Sequence, residues 1–234
     1  MQTDRTLIVI PTYNERDNVG PLIERLLAVA SQMDVLLLDD QSTDGTVVEA
    51  QRLFAGNPRF SAVTRSGSRS FGRSLLDGYR IALERGYARL IQMDADFSHE
   101  PQMVPTLISA AADVDVVIGS RYCEGGAVKN WPWYRRWLSR FANEYVAWIT
   151  RMPIHDSTSG FRCYTRHALE TILKGGITAE GYAFQVEATF RAIHAGLRVM
   201  EVPITFTDRR AGLSKMSGKV IFESILKPWR LRFE

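Results

Sequence analysis

Along the first half of the chain, short runs that are apolar throughout alternate with longer segments that are apolar on one side only. Leu7-Ile8-Val9-Ile10 and Val35-Leu36-Leu37-Leu38 contain no polar position, the pattern of a strand buried on both faces. Between them Val19, Leu22, Ile23, Leu26 and Leu27 recur at helical spacing and predict a helix over 18–30. The alternation continues with helices over 46–54, 72–85 and 101–112 and strands over 60–64, 90–93 and 114–118. Apolar strands joined by amphipathic helices predict an α/β fold, with a mostly parallel central sheet and helices on both faces. The second half is less regular. It predicts helices over 131–152 and 181–195, a loop over 156–162 and a strand over 199–206, with Pro228 kinking or ending any helix near the C-terminus. No repeat or linker interrupts the pattern, so residues 1–234 read as one unit.

The polar residues gather where the strands end, at 11–15, 39–44, 94–99 and 120–121. Ligands of parallel sheets bind at those carboxyl ends. Asp94-Ala95-Asp96 follows a buried strand at once, and two acids one residue apart repel each other unless a cation lies between them. A hard divalent cation does this and leaves sites free for diphosphate oxygens; an ordinary Asp-rich turn is the alternative. Asp39 and Asp40 end the second strand, where they suit hydrogen bonds from a base or ribose. Ser42 and Asp44 suit either a site or a helix cap. The first strand runs into Pro11-Thr12-Tyr13-Asn14-Glu15. That turn lacks the glycines of a dinucleotide fold, and the chain has no phosphate-cradling loop of nucleoside triphosphatases.

Composition changes this picture little. Lys plus Arg is 29 against 26 for Asp plus Glu, a net charge of +3 that gives no reason to expect nucleic acid. With 45% hydrophobic residues the chain can build a substantial core. Cys123 and Cys163 form no disulfide framework and fit a reducing compartment. No signal peptide and no apolar stretch of about 18 residues is visible, so a cytosolic protein without a transmembrane helix is expected. His155, His167 and His194 show no ligand spacing, and His99 alone lies near the acids.

Pro-Thr-Tyr-Asn-Glu after the first strand, Asp-Asp-x-Ser-x-Asp-Gly-Thr after the second and Asp-Ala-Asp-Phe-Ser-His after the fourth resemble glycosyltransferase family two, a nucleotide-sugar fold of the GT-A type. Gly119-Ser120-Arg121-Tyr122, Asp156-Ser157-Thr158-Ser159-Gly160-Phe161-Arg162, Gly181-Tyr182-Ala183-Phe184-Gln185, Glu201-Val202-Pro203-Ile204 and Asp208-Arg209 through Ser214-Lys215-Met216 narrow it. In that order they resemble the polyprenol (dolichol) phosphate mannose synthases, from Ile10 nearly to the C-terminus. The resemblance implies a single GT-A catalytic domain that moves mannose from GDP-mannose to a polyprenyl phosphate. It implies that Pro11, Tyr13, Glu15, Leu38 and Asp40 line the guanosine pocket. Asp94 and Asp96, with the backbone near Ala95, would hold Mg2+ or Mn2+ against the diphosphate. Arg121, Arg209 and Lys215 would face the phosphates, and Ser159, Arg162 and Gln185 the acceptor. Relatives often carry Gln where Ser98 stands; Ser98 either ligates weakly or caps a helix. The Gly-Leu-Gly of relatives is Ser70-Phe71-Gly72 here, which removes one flexible position.

The chemistry agrees with these roles. A nucleoside diphosphate departs only if its growing charge is stabilised, which a divalent cation with Arg and Lys does. A phosphate nucleophile is already largely anionic at neutral pH, so cations that bring two anions together matter more than a general base. No catalytic base is assigned; the alternative for Glu187 is a solvated helix position or a structural hydrogen bond. Direct displacement would invert the anomeric centre. A UDP-glucose-dependent polyprenyl phosphate glucosyltransferase and a non-catalytic nucleotide-sugar-binding subunit are the rival readings.

Two segments mix aromatic and basic residues, about 131–150 and 217–234. Trp137, Phe141, Tyr145 and Trp148 share one helical face flanked by Arg135, Arg136 and Arg140; Phe222, Leu226, Trp229 and Phe233 repeat the theme beside Lys219, Lys227, Arg230 and Arg232. Such faces suit a bilayer interface or a packed core. In the first case the protein sits peripherally on the cytosolic face of a membrane, directly or through an anchoring subunit.

Overall fold

The computed structural model describes residues 3–29, 32–179, 181, 183–208 and 218–234. The first half alternates as the apolar pattern predicts: β1 (Thr3–Thr12), α1 (Arg16–Val29), β2 (Met33–Asp39), α2 (Thr46–Phe54), β3 (Phe60–Thr64), α3 (Phe71–Glu84) and β4 (Tyr87–Gln92). A 3-10 turn at Pro101–Met103 precedes α4 (Val104–Ala110), dividing the helix expected over 101–112. Then come β5 (Val116–Ser120), β6 (Ala127–Lys129), α5 (Trp133–Thr150), β7 (Arg162–Thr165), α6 (Arg166–Lys174), α7 (Ala183–His194), β8 (Val199–Pro203), β9 (Thr205–Thr207) and α8 (Gly218–Phe233).

Seven strands form the main sheet in the order β3-β2-β1-β4-β7-β5-β8. All neighbours are parallel except β7, which runs antiparallel to both β4 and β5. The chain adds β2 and β3 on one side of β1 and then β4 on the other. That reversal opens a crevice at the carboxyl ends of β1 and β4. Alternation along each strand divides the core in two. Leu7, Val9, Leu36 and Leu38 pack with Leu75, Tyr79 and Phe184 on one face. Ile8, Ile10, Val35 and Leu37 pack with Val19, Leu22 and Val104 on the other. Each such side chain stabilises by about 1.5–3 kcal/mol relative to exposure.

Two expectations need correction. The strand expected over 199–206 is two strands, because β9 leaves the main sheet after Pro203 and pairs with β6. Pro228 does not end α8, which runs on to Phe233. Tertiary contacts hold α8 in place around Pro228: the Tyr145 hydroxyl donates to the Ile225 carbonyl (3.0 Å), and Lys227 docks on Glu187 (2.8 Å).

Candidate active site

Asp94 and Asp96 lie directly beyond β4, at the floor of the crevice. Asp96 Oδ1 accepts the Ser98 N–H at 3.1 Å, forming a tight turn. Phe97, between them, has φ 61°, a left-handed conformation that costs a bulky residue energy. Asn14 (φ 55°) and Gln41 (φ 65°) adopt the same region beyond β1 and β2, so each of the three strand-end turns carries this strain. The Asp94 N–H donates to His99 Nδ1 at 3.2 Å, which requires that nitrogen to be unprotonated. His99 is buried and stacked on Phe161, with centroids 4.9 Å apart. Burial lowers its pKa to about 4 and the Arg121 charge adds to this, against the opposing pull of Asp96 and Asp156. Gly160 reaches the crevice from the loop before β7, where a Cβ would stand 3.3 Å from Asp94 Oδ2. Its carbonyl accepts a hydrogen bond from Gln92 Nε2 at 3.0 Å. The acid pair is thus pressed between its own turn and a loop some sixty residues away in sequence, |i−j| = 68 for that bond.

The donor positions on β1 and β2 also meet. The Asp40 N–H donates to the Thr12 carbonyl at 2.8 Å, setting Tyr13 beside Asp40. Asp39 turns inward, accepting from Thr12 Oγ1 (3.2 Å) and the Ser42 N–H (2.9 Å). Asp44 resolves to a cap: it accepts from the N–H groups of Thr46 (2.9 Å) and Arg16 (3.1 Å). Burial pushes its carboxyl up, yet hydrogen bonds from Thr46 and Arg16 outweigh this and hold it below the ordinary value. Glu15 Oε2 accepts from Asn18 Nδ2 at 2.8 Å at the start of α1. Pro11 is half-buried, whereas Leu38 and Ala95 are buried in the core and support the crevice from beneath.

Arg121 is placed differently from the sequence-based expectation. Its guanidinium forms a bidentate pair with Asp156, Nε to Oδ2 2.7 Å and Nη2 to Oδ1 2.6 Å, and also donates to Thr158 Oγ1 at 2.8 Å. Tyr122, Trp131 and Phe206 surround it. A buried fork already matched by a carboxylate orders this loop. Glu201 fixes Asp156 in turn by accepting its N–H at 2.8 Å. Asn143 of α5 joins the network: its Nδ2 donates to Thr158 Oγ1 (3.1 Å) and its Oδ1 accepts the Thr158 N–H (3.3 Å). The sequence motif around Asp156 implies no role for it; its pairing with Arg121 gives it one.

The acceptor positions are not brought to the crevice surface. Arg162 is 0% exposed. It donates to the carbonyls of Ser159 (2.7 Å), Ser157 (2.6 Å) and Gln185 (3.1 Å) and to Thr189 Oγ1 (2.8 Å), so it locks the loop onto α7. Ser159 is buried and donates to the Gly119 carbonyl at 2.6 Å. Gln185 is buried, with neither amide atom partnered among the described residues. Glu187 proves structural. It pairs with Lys227 (2.8 Å) and Arg191 (2.6 Å) and accepts the Ala179 N–H (2.8 Å). Arg209 and Lys215 lie outside the described residues, as do Arg210 and Tyr182.

The aromatic stripe of α5 is surface except for Tyr145, which is half-buried against α8. Trp137 is 63% exposed, Phe141 52% and Trp148 72%, while Asn143, Val146 and Ile149 form the buried side. α8 lies alongside: Trp229 Nε1 donates to the Tyr145 hydroxyl at 2.9 Å, and Trp148 meets Trp229 edge to face. Trp229 and Phe233 add to the exposed aromatics, with Arg230 and Arg232 exposed nearby. The side chains of Phe222 and Lys219 are outside the description. No described helix is long and apolar enough to cross a membrane.

Comparison with known proteins places this geometry in context. The glycosyl transferase family 2 model matches residues 7–173. The polyprenol monophosphomannose synthase of Mycolicibacterium smegmatis is 44% identical over 98% of this chain and 88% of its own length. The undecaprenyl-phosphate mannosyltransferase of Micrococcus luteus is 39% identical over 97% of this chain and 93% of its own. The dolichol-phosphate mannosyltransferase of Pyrococcus furiosus is 33% identical over 96% of this chain, which spans 62% of that longer protein. Among solved structures, glucosyl-3-phosphoglycerate synthase from Mycobacterium tuberculosis, crystallised with Mn2+, UDP and phosphoglyceric acid, has a TM-score of 0.76 at 16% identity. That alignment covers 97% of this chain and 78% of the other, and shows a shared GT-A fold.

Proposed function

The chain belongs to glycosyl transferase family 2, and from that premise we propose that it transfers mannose from GDP-mannose to a polyprenyl phosphate. The transfer of mannose to polyprenyl phosphate follows the relatives aligned along nearly its whole length. The observation that carries the reaction class is the pair Asp94 and Asp96 in the crevice where β1 and β4 diverge, with Gly160 leaving room against Asp94. The residues present fit a divalent cation, Mg2+ or Mn2+. Two carboxylates come from one turn, and the buried Ser98 hydroxyl beside them has no partner among the described residues. No third His, Cys, Asp or Glu among the described residues closes a protein-only cage. That donor set suits an ion whose remaining ligands are diphosphate oxygens and water. Bound there, it would offset the negative charge that grows on the departing nucleoside diphosphate.

The protein's own part is positioning. Tyr13 and Asp40 take the nucleoside side, His99 holds the Asp94 backbone N–H, and Gly160 leaves room against the Asp94 carboxylate. Arg121, clamped by Asp156, orders the loop that anchors α5 through Asn143. Since the attacking phosphate is already anionic, no carboxylate need serve as base, and Glu187 and Asp156 are both held in ion pairs. One displacement inverts the anomeric centre. Arg209 and Lys215 are proposed from sequence alone to face the phosphates. The exposed aromatic and basic face of α5 and α8 would rest on the cytosolic membrane surface that carries the lipid, unaided or with an anchoring subunit. On this reading residues 1–234 form a single catalytic domain.

A matrix of radiolabelled GDP-mannose and UDP-glucose against a short polyprenyl phosphate, with and without EDTA, tests the reading. Expected is lipid-soluble label from GDP-mannose alone, lost with EDTA and restored by Mg2+ or Mn2+. Label from UDP-glucose alone would overturn the donor, and full activity in EDTA would overturn the cation.

A further inference from the structure

The turn 65–70, between β3 and α3, is fastened to the donor side of the crevice at three points. Arg65 joins Asp40 (2.5 Å) to Asp77 (2.8 Å). The Ser70 N–H donates to Asp40 Oδ2 at 2.9 Å. Gln41 Nε2 donates to the Gly67 carbonyl at 2.6 Å. These ties set the Arg69 guanidinium over the ring of Tyr13, with Cζ 4.5 Å from the centroid. This cation–π contact holds the guanidinium beside the ring without using its N–H groups. Arg69 is exposed, and among the described residues no hydrogen bond or ion pair engages it. Asp40 is in the opposite condition: both of its oxygens already accept, and Arg65 matches its charge. The free, oriented recognition group beside Tyr13 is therefore a cation.

We infer that Arg69 is the base-reading residue of the donor site, presenting its fork to O6 and N7 of guanine while Asp40 and Arg65 hold the turn that carries it. This rests on the guanosine diphosphate donor proposed above. Guanine places two acceptors side by side on that edge, the complement of an arginine fork. Adenine replaces O6 with an amino donor, and uracil has no ring-nitrogen acceptor there.

Titration calorimetry of GDP, 7-deaza-GDP and UDP, each with Mn2+, on wild type, Arg69→Met and Arg69→Lys tests this. 7-Deaza-GDP lacks only the N7 acceptor. Wild type is expected to bind GDP about tenfold or more tighter than 7-deaza-GDP. Arg69→Met should lose about as much affinity for GDP, bind GDP and 7-deaza-GDP alike, and change UDP affinity less than about twofold. Arg69→Lys keeps the charge but not the fork, and should show the same loss of N7 preference. A GDP preference over 7-deaza-GDP that survives in both variants, or is absent from wild type, overturns the inference while leaving the donor intact. Equal affinity of wild type for UDP and GDP overturns the donor and the inference together.

Discussion

The crevice beyond β1, β2 and β4 and the outer face of α5 and α8 depart from an ordinary soluble surface in opposite directions. In the crevice, Asp39, Asp40, Asp96, His99 and Arg121 are buried; Asp40 and Arg121 are matched by Arg65 and Asp156, and Asp39 and Asp96 accept hydrogen bonds. On the helix face, Trp133, Trp137, Phe141, Trp148 and Phe233 stand in water with little polar cover. Buried charge is tolerated where hydrogen bonds and counter-charges hold it. Exposed aromatics are tolerated where something apolar comes to cover them. On the proposed function, the first region holds a charged, water-soluble donor and the second meets a lipid. Asn143 faces inward from the aromatic helix and bonds Thr158 in the loop that carries Gly160, so direct hydrogen bonds join the two regions.

The difference can be broken at either end. Asp96→Ala should lower turnover by roughly 10^3-fold or more and abolish metal-dependent donor binding, with circular dichroism unchanged; turnover within tenfold of wild type removes the crevice from the chemistry. Glu187→Ala should destabilise by about 3–5 kcal/mol, because it strands the buried Lys227 that docks α8. Urea titration reads this loss. The same residue gives a pH signature. Burial pushes the Glu187 carboxyl up, but hydrogen bonds from Lys227 and Arg191 outweigh it and hold it below its ordinary 4.5. Its contribution is therefore complete above about pH 4.5 and fades as pH falls toward its folded value. Melting curves from pH 7 to 3 should show this acid loss in wild type and a shallower one in Glu187→Gln.

At the lipid end, Trp137→Asp combined with Phe141→Asp should weaken binding to polyprenyl-phosphate liposomes about a hundredfold in flotation assays, while donor binding and the melting temperature hold. Retained flotation would assign the stripe to another contact. The smallest change sharpens the coupling between the regions. Gly160→Ala brings a methyl to 3.3 Å from Asp94 Oδ2, and a shift of a few tenths of an ångström should cost about tenfold in kcat. Liposome binding should not change; if kcat is also untouched, the fit of Gly160 against Asp94 is incidental.

The strand and helix order of the first half was legible because buried strands and amphipathic helices leave local periodicities of their own. The position of the acid pair was legible for the same reason, since a motif that ends an apolar strand must lie at the edge of the sheet. β7 and α6 were missed: four residues, Arg162–Thr165, are too few to show a period, and β7 is a strand only because β4 and β5 leave a slot for it. Arg162 reads from its motif as an acceptor-facing cation, whereas in the fold carbonyls from two separate segments close around it.

By itself, then, the sequence determined the alternating α/β architecture, the family and the placement of Asp94, Asp96, Tyr13 and Asp40 at strand ends. Only the tertiary structure decided that Arg121 belongs to Asp156, that Glu187 holds a helix, that the stripe of α5 faces out and that Arg69 lies over Tyr13. Periodicity is a property of neighbours along the chain. Whether a charge finds a counter-charge, or an aromatic face finds a cover, depends on residues tens of positions away, and no local pattern records that.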